Sequence, residues 1–450
     1  MKRLMVVMGI MVLCASQAWA FESVPGGYIY WNGVDSLTGA VTNFSIWRTE
    51  IDNVGNVVGT AAVNIDNVAN INAYDGWAQN VRGRNLEVLD PRSSGGSGNL
   101  LLSVITNNTP PPGGYSGPNY YQPWDTMMIN PTTLSHTLLS DGAVGGQGGA
   151  LPGPWDSEVQ YTVLAAPQNW VAGQPSNGIS LASVSGYYSN AVAALYDSNG
   201  DGVVDATEGT ILKSPKYGGQ WPMDSEFGPD GAVYQHVVTD FTIGLNNNNI
   251  RRTTSDGVSA AYYTAVAGDG IGTIAGLYGG GGIAVGPGND DNAASIVYLF
   301  TRHDHGDGTI NNAIFALQDV DGDNVVLGGG MDLLQVVWEQ GDAGISIPSQ
   351  NEYANLDIEI FVDPATDQRT LFFNTYYSTN VYALSLTADG LGVVGTGKVI
   401  PVGIDQGAMN SRALGFELDM TGEVVPEPAT LLLVGTGVMG LFGFVRRRRK

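Results

Sequence analysis

Cysteine, histidine and basic residues are all scarce in this chain of 450 residues, which holds one cysteine, four histidines and 19 Lys plus Arg against 43 Asp plus Glu. The single cysteine excludes a disulfide framework, so folding rests on core packing and bound ions. The acidic excess repels nucleic acid and anionic membranes and attracts divalent cations. Histidines at 136, 236, 303 and 305 are too few for a histidine-rich active centre. No Gly-x-Ser-x-Gly elbow occurs, and the glycine run "GGGGIAVGPG" (279–288) lacks the lysine of a phosphate loop and reads as strand plus turn. Amphipathic helices longer than about three turns are missing. Long apolar runs are confined to the two ends.

At the amino end, Met1-Lys2-Arg3 precedes the apolar stretch Leu4–Ala15, and Ala18 and Ala20 flank Trp19 in a small-x-small pattern. This is the form of a signal peptide cut by signal peptidase after Ala20. Cys14 follows Leu13, which is bulkier than a lipoprotein cleavage site accepts, so the expected product is an unlipidated chain starting at Phe21 without cysteine. At the carboxyl end, Pro426-Glu427-Pro428 precedes the apolar segment Leu431–Val445 and the basic block Arg446–Lys450. Fifteen residues are marginal for a bilayer span, and the basic block favours the cytoplasmic face. Four glycines in that segment (435, 437, 440 and 443) argue against a packed soluble helix. Motif, apolar span and terminal arginines, in that order, resemble the PEP-CTERM sorting signal of Gram-negative bacteria. The resemblance covers about the last 26 residues. It implies export, transient anchoring in the inner membrane, processing by an exosortase and delivery to the cell surface, outer membrane or extracellular matrix, often in association with biofilm polysaccharide.

Without residues 1–20 and 425–450, 12 basic and 42 acidic residues remain, a net charge of −30. Region 21–424 is rich in Gly, Asn, Thr, Ser and Tyr, with short apolar runs broken by Gly, Asn and Asp, the pattern of an all-β protein. Five stretches share an apolar strand, an Asp- or Gly-bearing turn and, in most, a Val-Val strand. They are 45–59, 191–205, 249–262, 313–328 and 381–395, anchored at Ile46, Val192, Ile250, Ile314 and Tyr382 with separations of 146, 58, 64 and 68. The long first gap places a degenerate copy near 127–146. A second hairpin type recurs between them at 86–105, 224–238, 282–300 and 357–376. Two hairpins per period make a four-stranded sheet, and such sheets shield themselves by packing around an axis. The expected fold is a single β-propeller of five to seven four-stranded blades over 21–424, with a signal helix before it and an apolar helix after it. "FGPDGAVY" (227–234) weakly resembles the strand-turn-strand of six- and seven-bladed propellers. The competing reading is a pair of β-sandwiches divided near 145–175.

The sharpest site is "DSNGDGVVDATE" (197–208). Asp197, Asn199, Asp201, Asp205 and Glu208 take positions 1, 3, 5, 9 and 12 of a calcium loop, with Gly202 at the sharp turn and the Val203 carbonyl at position 7. It resembles the EF-hand and dockerin loop, but "AVAALY" before it reads as a strand and Gly209 after it stops an exiting helix, so a lone calcium loop on a hairpin is expected, with an ion-free Asx-rich turn as the alternative. A weaker loop has Asp319, Asp321 and Asp323 at positions 1, 3 and 5, but Asn324 replaces the glycine and Asp332 falls two places beyond position 12. In "RHDHGDG" (302–308), His303 and His305, accompanied by Asp304 and Asp307, share one face of a strand, which suits a transition metal; the other histidines, His136 and His236, sit in no metal-like context, and a polar loop between blade strands is the plainer reading.

These features point to an exported, exosortase-processed surface or matrix protein, non-catalytic and calcium-stabilised, with extracellular polysaccharide as candidate partner. The alternative is a secreted propeller enzyme, a lyase, glycosidase or quinone-type dehydrogenase. Such an enzyme would converge His, Arg and carboxylates on the axis, and three or more titratable groups clustered there would favour it.

Overall fold

The computed structural model describes twenty-four strands between residues 26 and 420, the connections 130–135, 228–232, 305–309, 319–326, 340–347 and 386–397, and residues bordering other strands. The expected terminal helices lie outside the described residues. The chain runs through β1 (Gly27–Val34), β2 (Phe44–Ile51) and β3 (Val63–Asn67), then β4 (Leu86–Val88), β5 (Leu100–Ile105), β6 (Trp124–Ile129) and β7 (His136–Ser140). Next come β8 (Val159–Ala165), β9 (Ser180–Gly186), β10 (Ser189–Leu195) and β11 (Thr210–Tyr217), followed by β12 (Trp221–Phe227), β13 (Val233–Val238), β14 (Asn248–Thr253) and β15 (Ser259–Thr264). The last strands are β16 (Ile283–Gly286), β17 (Ile296–Asp304), β18 (Ile310–Gln318), β19 (Leu333–Glu339), β20 (Asn355–Val362), β21 (Arg369–Thr375), β22 (Asn380–Ser385), β23 (Lys398–Pro401) and β24 (Arg412–Met420).

These strands form six four-stranded sheets, all antiparallel where pairing is described. Blade 1 is β24-β1-β2-β3, and blades 2 to 6 are β4–β7, β8–β11, β12–β15, β16–β19 and β20–β23. The first strand of each blade packs beside that of the next, from β4 to β8, β12, β16 and β20, and β24 closes the ring between β20 and β4. Because β24 pairs with β1, the closing blade is built from both ends of the described chain. The protein is a six-bladed β-propeller. The sandwich division near 145–175 does not occur, since β8 is the innermost strand of blade 3 and packs between blades 2 and 4.

Burial explains why a ring formed rather than a sandwich. A sandwich strand alternates between core and solvent, whereas Ile296–Thr301 of β17, Asn312's successors 313–318 in β18 and all of β21 are continuously buried. Each of these sheets has a neighbouring blade on both faces. Between blades 5 and 6, Phe300 and Phe373 meet edge-to-face with centroids 5.1 Å apart, and Trp338 packs 5.0 Å from Phe373. Between blades 4 and 5 lies a cluster including Ile250, Tyr262, Ile283 and Phe315, and between 6 and 1 one including Phe372, Ile400, Trp31 and Phe416. Polar latches join the inner strands: the Asp224 carboxylate of β12 accepts the Ile283 N–H of β16, and that of Asp357 in β20 accepts the Phe416 N–H of β24 at 2.8 Å.

The sequence repeat maps onto blades. Ile46, Val192, Ile250, Ile314 and Tyr382 all lie in third strands, β2, β10, β14, β18 and β22. The degenerate copy near 127–146 holds the third and fourth strands of blade 2, β6 and β7. The Val-Val segments differ from expectation. Val57, Val326 and Val393 make only single bridges, and the fourth strands of those blades begin later, at 63, 333 and 398. In blades 1 and 6, the Val58 and Val394 N–H groups bond back to the third strand, at the Glu50 and Ser385 carbonyls, so each segment extends a turn before the chain reaches the outer edge.

Candidate functional site

The axis is the place where side chains from opposite blades can meet. Glu417 of β24, Glu87 of β4 and Glu226 of β12 come from blades 1, 2 and 4, and a carboxylate oxygen from each lies within 4.8 Å of the others. Blades 1 and 4 face each other across a six-membered ring, so these carboxylates approach one another across the axis. Glu87 and Glu417 are only 4% and 6% exposed, too little for a polymer to reach them. Glu359 of β20 is also buried but is not in the group of three. Three carboxylates this close, two of them buried and Glu226 half-buried, are costly to keep charged unless positive charge is held near them.

These glutamates were not singled out from sequence, although a signal existed for Glu87 and Glu226, shared with Glu359; Glu417, in "GFELDM", lacks the proline that follows the others. The hairpins "LEVLDP", "DSEFGP" and "DIEIFVDP" each set a glutamate in the first strand of a blade, a few residues before a proline at 91, 229 or 364. In two of them an aspartate two residues earlier forms the interblade latch.

Connections between first and second strands and between third and fourth strands gather on one face. The 197–208 loop, with Asp197, Asn199, Asp201, Val203, Asp205 and Glu208, links β10 and β11 and lies outside the described residues. The weaker loop, between β18 and β19, is described. Asp319 is buried and accepts the Gly322 and Asn324 N–H groups at 2.7 Å each. Asp321 accepts Asp323 N–H, and Asp323 accepts Val325 N–H. One carboxylate oxygen from each of Asp319, Asp321 and Asp323 lies within 4.8 Å of the others. Asn324 has φ 67°, the left-handed conformation that glycine supplies at position 6 of a calcium loop, and asparagine is the side chain that best tolerates it. Asp332, too late in sequence for position 12, folds back to accept the Val320 N–H at 3.1 Å. The N–H from Asp323 pulls the Asp321 carboxyl down, but desolvation and the carboxylates of Asp323, Asp332 and Asp319 outweigh it and hold the group above its ordinary value.

This loop borders a cleft of about 1140 Å³ across the same face of blades 4 to 6. Arg252 donates to Asp230 at 2.7 Å and to the Tyr234 hydroxyl at 3.2 Å, while Arg369 holds the Pro287 and Gly288 carbonyls at 2.8 and 2.7 Å. Burial pushes the Tyr234 and Tyr262 phenols well above their ordinary value, so neither accepts a proton near neutral pH. The cleft therefore offers aromatic and polar surface on which Asp230, Arg252, Asp319 and Arg369 are already engaged.

On the other face, where second strands turn into third, His303 and His305 meet Glu339 of β19. Desolvation raises the Glu339 carboxyl, but hydrogen bonds from Asn311, His305 and His303 more than offset it and leave it below its ordinary value. His236 lies elsewhere, fully buried with Nδ1 2.6 Å from the Gly281 carbonyl.

No curated protein matches the chain in sequence. Among solved structures it is similar to a Hadza microbial sialidase, Hz136, at 8% identity over 84% of this chain and 73% of that one, with a TM-score of 0.44. It is similar to the hydrazine synthase of Kuenenia stuttgartiensis at 12% identity over 89% and 91%, TM-score 0.38. A PL25 polysaccharide lyase, an ulvan lyase, aligns at 8% identity over 86% and 79%, TM-score 0.39. Residues 424–449, which include Pro426, Glu427 and Pro428, match the PEP-CTERM protein-sorting motif. The chain is thus a β-propeller carrying the PEP-CTERM sorting motif, the mark of exported proteins that are sorted to the cell surface and processed by an exosortase.

Proposed function

We propose that the exported molecule is a non-catalytic binding and structural protein of the cell surface or extracellular matrix, made rigid by calcium, with its cleft directed at polysaccharide. The observation that carries this reading is the meeting of Glu87, Glu226 and Glu417 at the axis. Three titratable groups there meet the numerical criterion for an enzyme, but all three are carboxylates, the donor set of a hard cation. The burial of Glu87 and Glu417 suits an oxygen-ligated cation rather than a sugar chain. An ion on the axis ties three inner strands together and supplies stability that a cysteine-free exported chain cannot draw from disulfides. The 197–208 loop, between β10 and β11, adds a second calcium position, and the Asp319 loop a third beside the cleft.

The test is thermal melting of the purified full chain after chelation and during calcium titration, with Asp201→Ala as control. Calcium raises the melting temperature of the wild type, and the variant loses the share due to its loop. A wild-type melting temperature indifferent to calcium removes the calcium reading.

The second reading, a polysaccharide-degrading enzyme, is favoured by the size of the cleft and the Asp230, Arg252 and Tyr234 group within it. Incubation with acidic and neutral polysaccharides separates the two. Retention on a polysaccharide without new reducing or unsaturated ends supports binding, and turnover lost in Arg252→Ala establishes the enzyme.

A further inference from the structure

Blade 5 brings together two imidazoles and a carboxylate that are distant in sequence. His303 is the next-to-last residue of β17, His305 lies one residue past its end, and Glu339 ends β19. Strand β18 runs between them and sets Ala313 opposite both Thr301 and Glu339, which brings Glu339 to the end of the sheet where the histidines stand. His303 Nδ1 is 3.2 Å from Glu339 Oε2 and His305 Nε2 is 2.6 Å from Oε1. The two rings lie 4.1 Å apart.

The rings are held in place from several sides. His303 packs edge-to-face on Phe315 at 5.6 Å. The backbone of Gly270 approaches it so closely that an added Cβ would lie 3.5 Å from the ring. Asp304 and Asp307 accept the N–H groups of Gly306 and Thr309 at 2.8 Å and shape the turn that presents His305. Asn311, between the histidines and Glu339, donates its amide to Glu339.

We propose that His303, His305 and Glu339 form a binding site for a divalent transition-metal ion of the zinc class. Two imidazoles and one carboxylate suit a borderline-soft ion, whereas calcium wants six to eight oxygens. Ligands about 2.0–2.1 Å from a tetrahedral ion stand roughly 3.3 Å apart. The His303–Glu339 separation already has this value, and His305, on an exposed turn, needs to withdraw by well under 1 Å. Each imidazole presents the nitrogen facing Glu339 as a lone pair once its proton sits on the other ring nitrogen. Asn311 is the outer partner that orients the carboxylate. The side chains remain 19–32% exposed, which leaves the fourth position to water. Strand β18 separates this site from the Asp319 loop at its other end, so it stands apart from the proposed calcium positions.

Zinc titration of the full chain, without a polyhistidine tag and in excess calcium to occupy oxygen-only sites, tests the proposal. One zinc ion binds the wild type. His305→Ala and Glu339→Gln each weaken binding by more than about 100-fold, and Asn311→Ala weakens it by roughly 10- to 100-fold. Asp321→Asn leaves it unchanged. Cobalt substitution gives a tetrahedral visible spectrum that His305→Ala abolishes. Because His305 lies on an exposed turn, that variant melts like the wild type in chelator. Zinc affinity unchanged in His305→Ala, or no zinc uptake in excess calcium, overturns the assignment.

Discussion

Glu417→Gln makes the sharpest test of the axial cluster, because it removes one charge with almost no change of shape. With carboxylate oxygens no more than 4.8 Å apart, each charged pair repels by about 3.5 kcal/mol at an effective dielectric constant near 20. Neutralising one member deletes two of three such pairs, about 7 kcal/mol of unrelaxed repulsion that proton uptake and relaxation reduce to a few. In chelator the variant is therefore more stable than the wild type, by several degrees of melting temperature. In excess calcium the order reverses. The wild type gains about 2.7 kcal/mol at an ion concentration 100 times the dissociation constant, and the variant, lacking a ligand, gains little. The experiment uses calorimetric melting in a background carrying Asp201→Ala and Asp321→Asn, which silences the two loops. A variant less stable than its parent in chelator, or one that keeps the full calcium response, would falsify the axial site.

Two further outcomes follow from packing and from the described acidic loop. Gly282→Ala places a Cβ 2.8–3.0 Å from backbone atoms of Asp357 and Ile358 in the next blade, so the inner strands must part. We expect a loss of about 1–3 kcal/mol in urea unfolding, and an unchanged midpoint would refute the close approach. Asp319→Ala removes the buried acceptor of the Gly322 and Asn324 N–H groups. It should cost about 2–4 kcal/mol in chelator and also shrink the calcium response, whereas a stability change under 0.5 kcal/mol would show that the carboxylate does not organise the loop.

The blades were legible because their signal is local. A β-strand followed by a Gly, Asn or Asp turn leaves its mark within about a dozen residues, so the third-strand anchors from Ile46 to Tyr382, and even the faint copy ending in β7, could be placed from spacing. The Val-Val segments misled for the same reason. Valine pairs favour extended backbone, but whether one pairs as an outer strand or as a single bridge depends on where the chain next reaches the sheet edge. Asn324 was discounted as a poor substitute for glycine, yet its φ of 67° is allowed to asparagine once Asp319 holds the loop from inside.

The sites divide along the same line. The C-terminal signal and the acidic loop spacings are contiguous and need no fold to be read. Glu87, Glu226 and Glu417 are spread over more than 300 residues, and Glu339 lies 34 residues beyond His305. Residues alone determined that the chain is exported, acidic, limited to a single cysteine and built of repeated antiparallel sheets, because each of those properties resides in composition or in short runs. Only the tertiary structure decided which carboxylates meet: ring closure brings Glu87, Glu226 and Glu417 from three blades to the axis, and strand pairing within blade 5 carries Glu339 to His303 and His305, because residues far apart in sequence become neighbours only through the sheet or the ring.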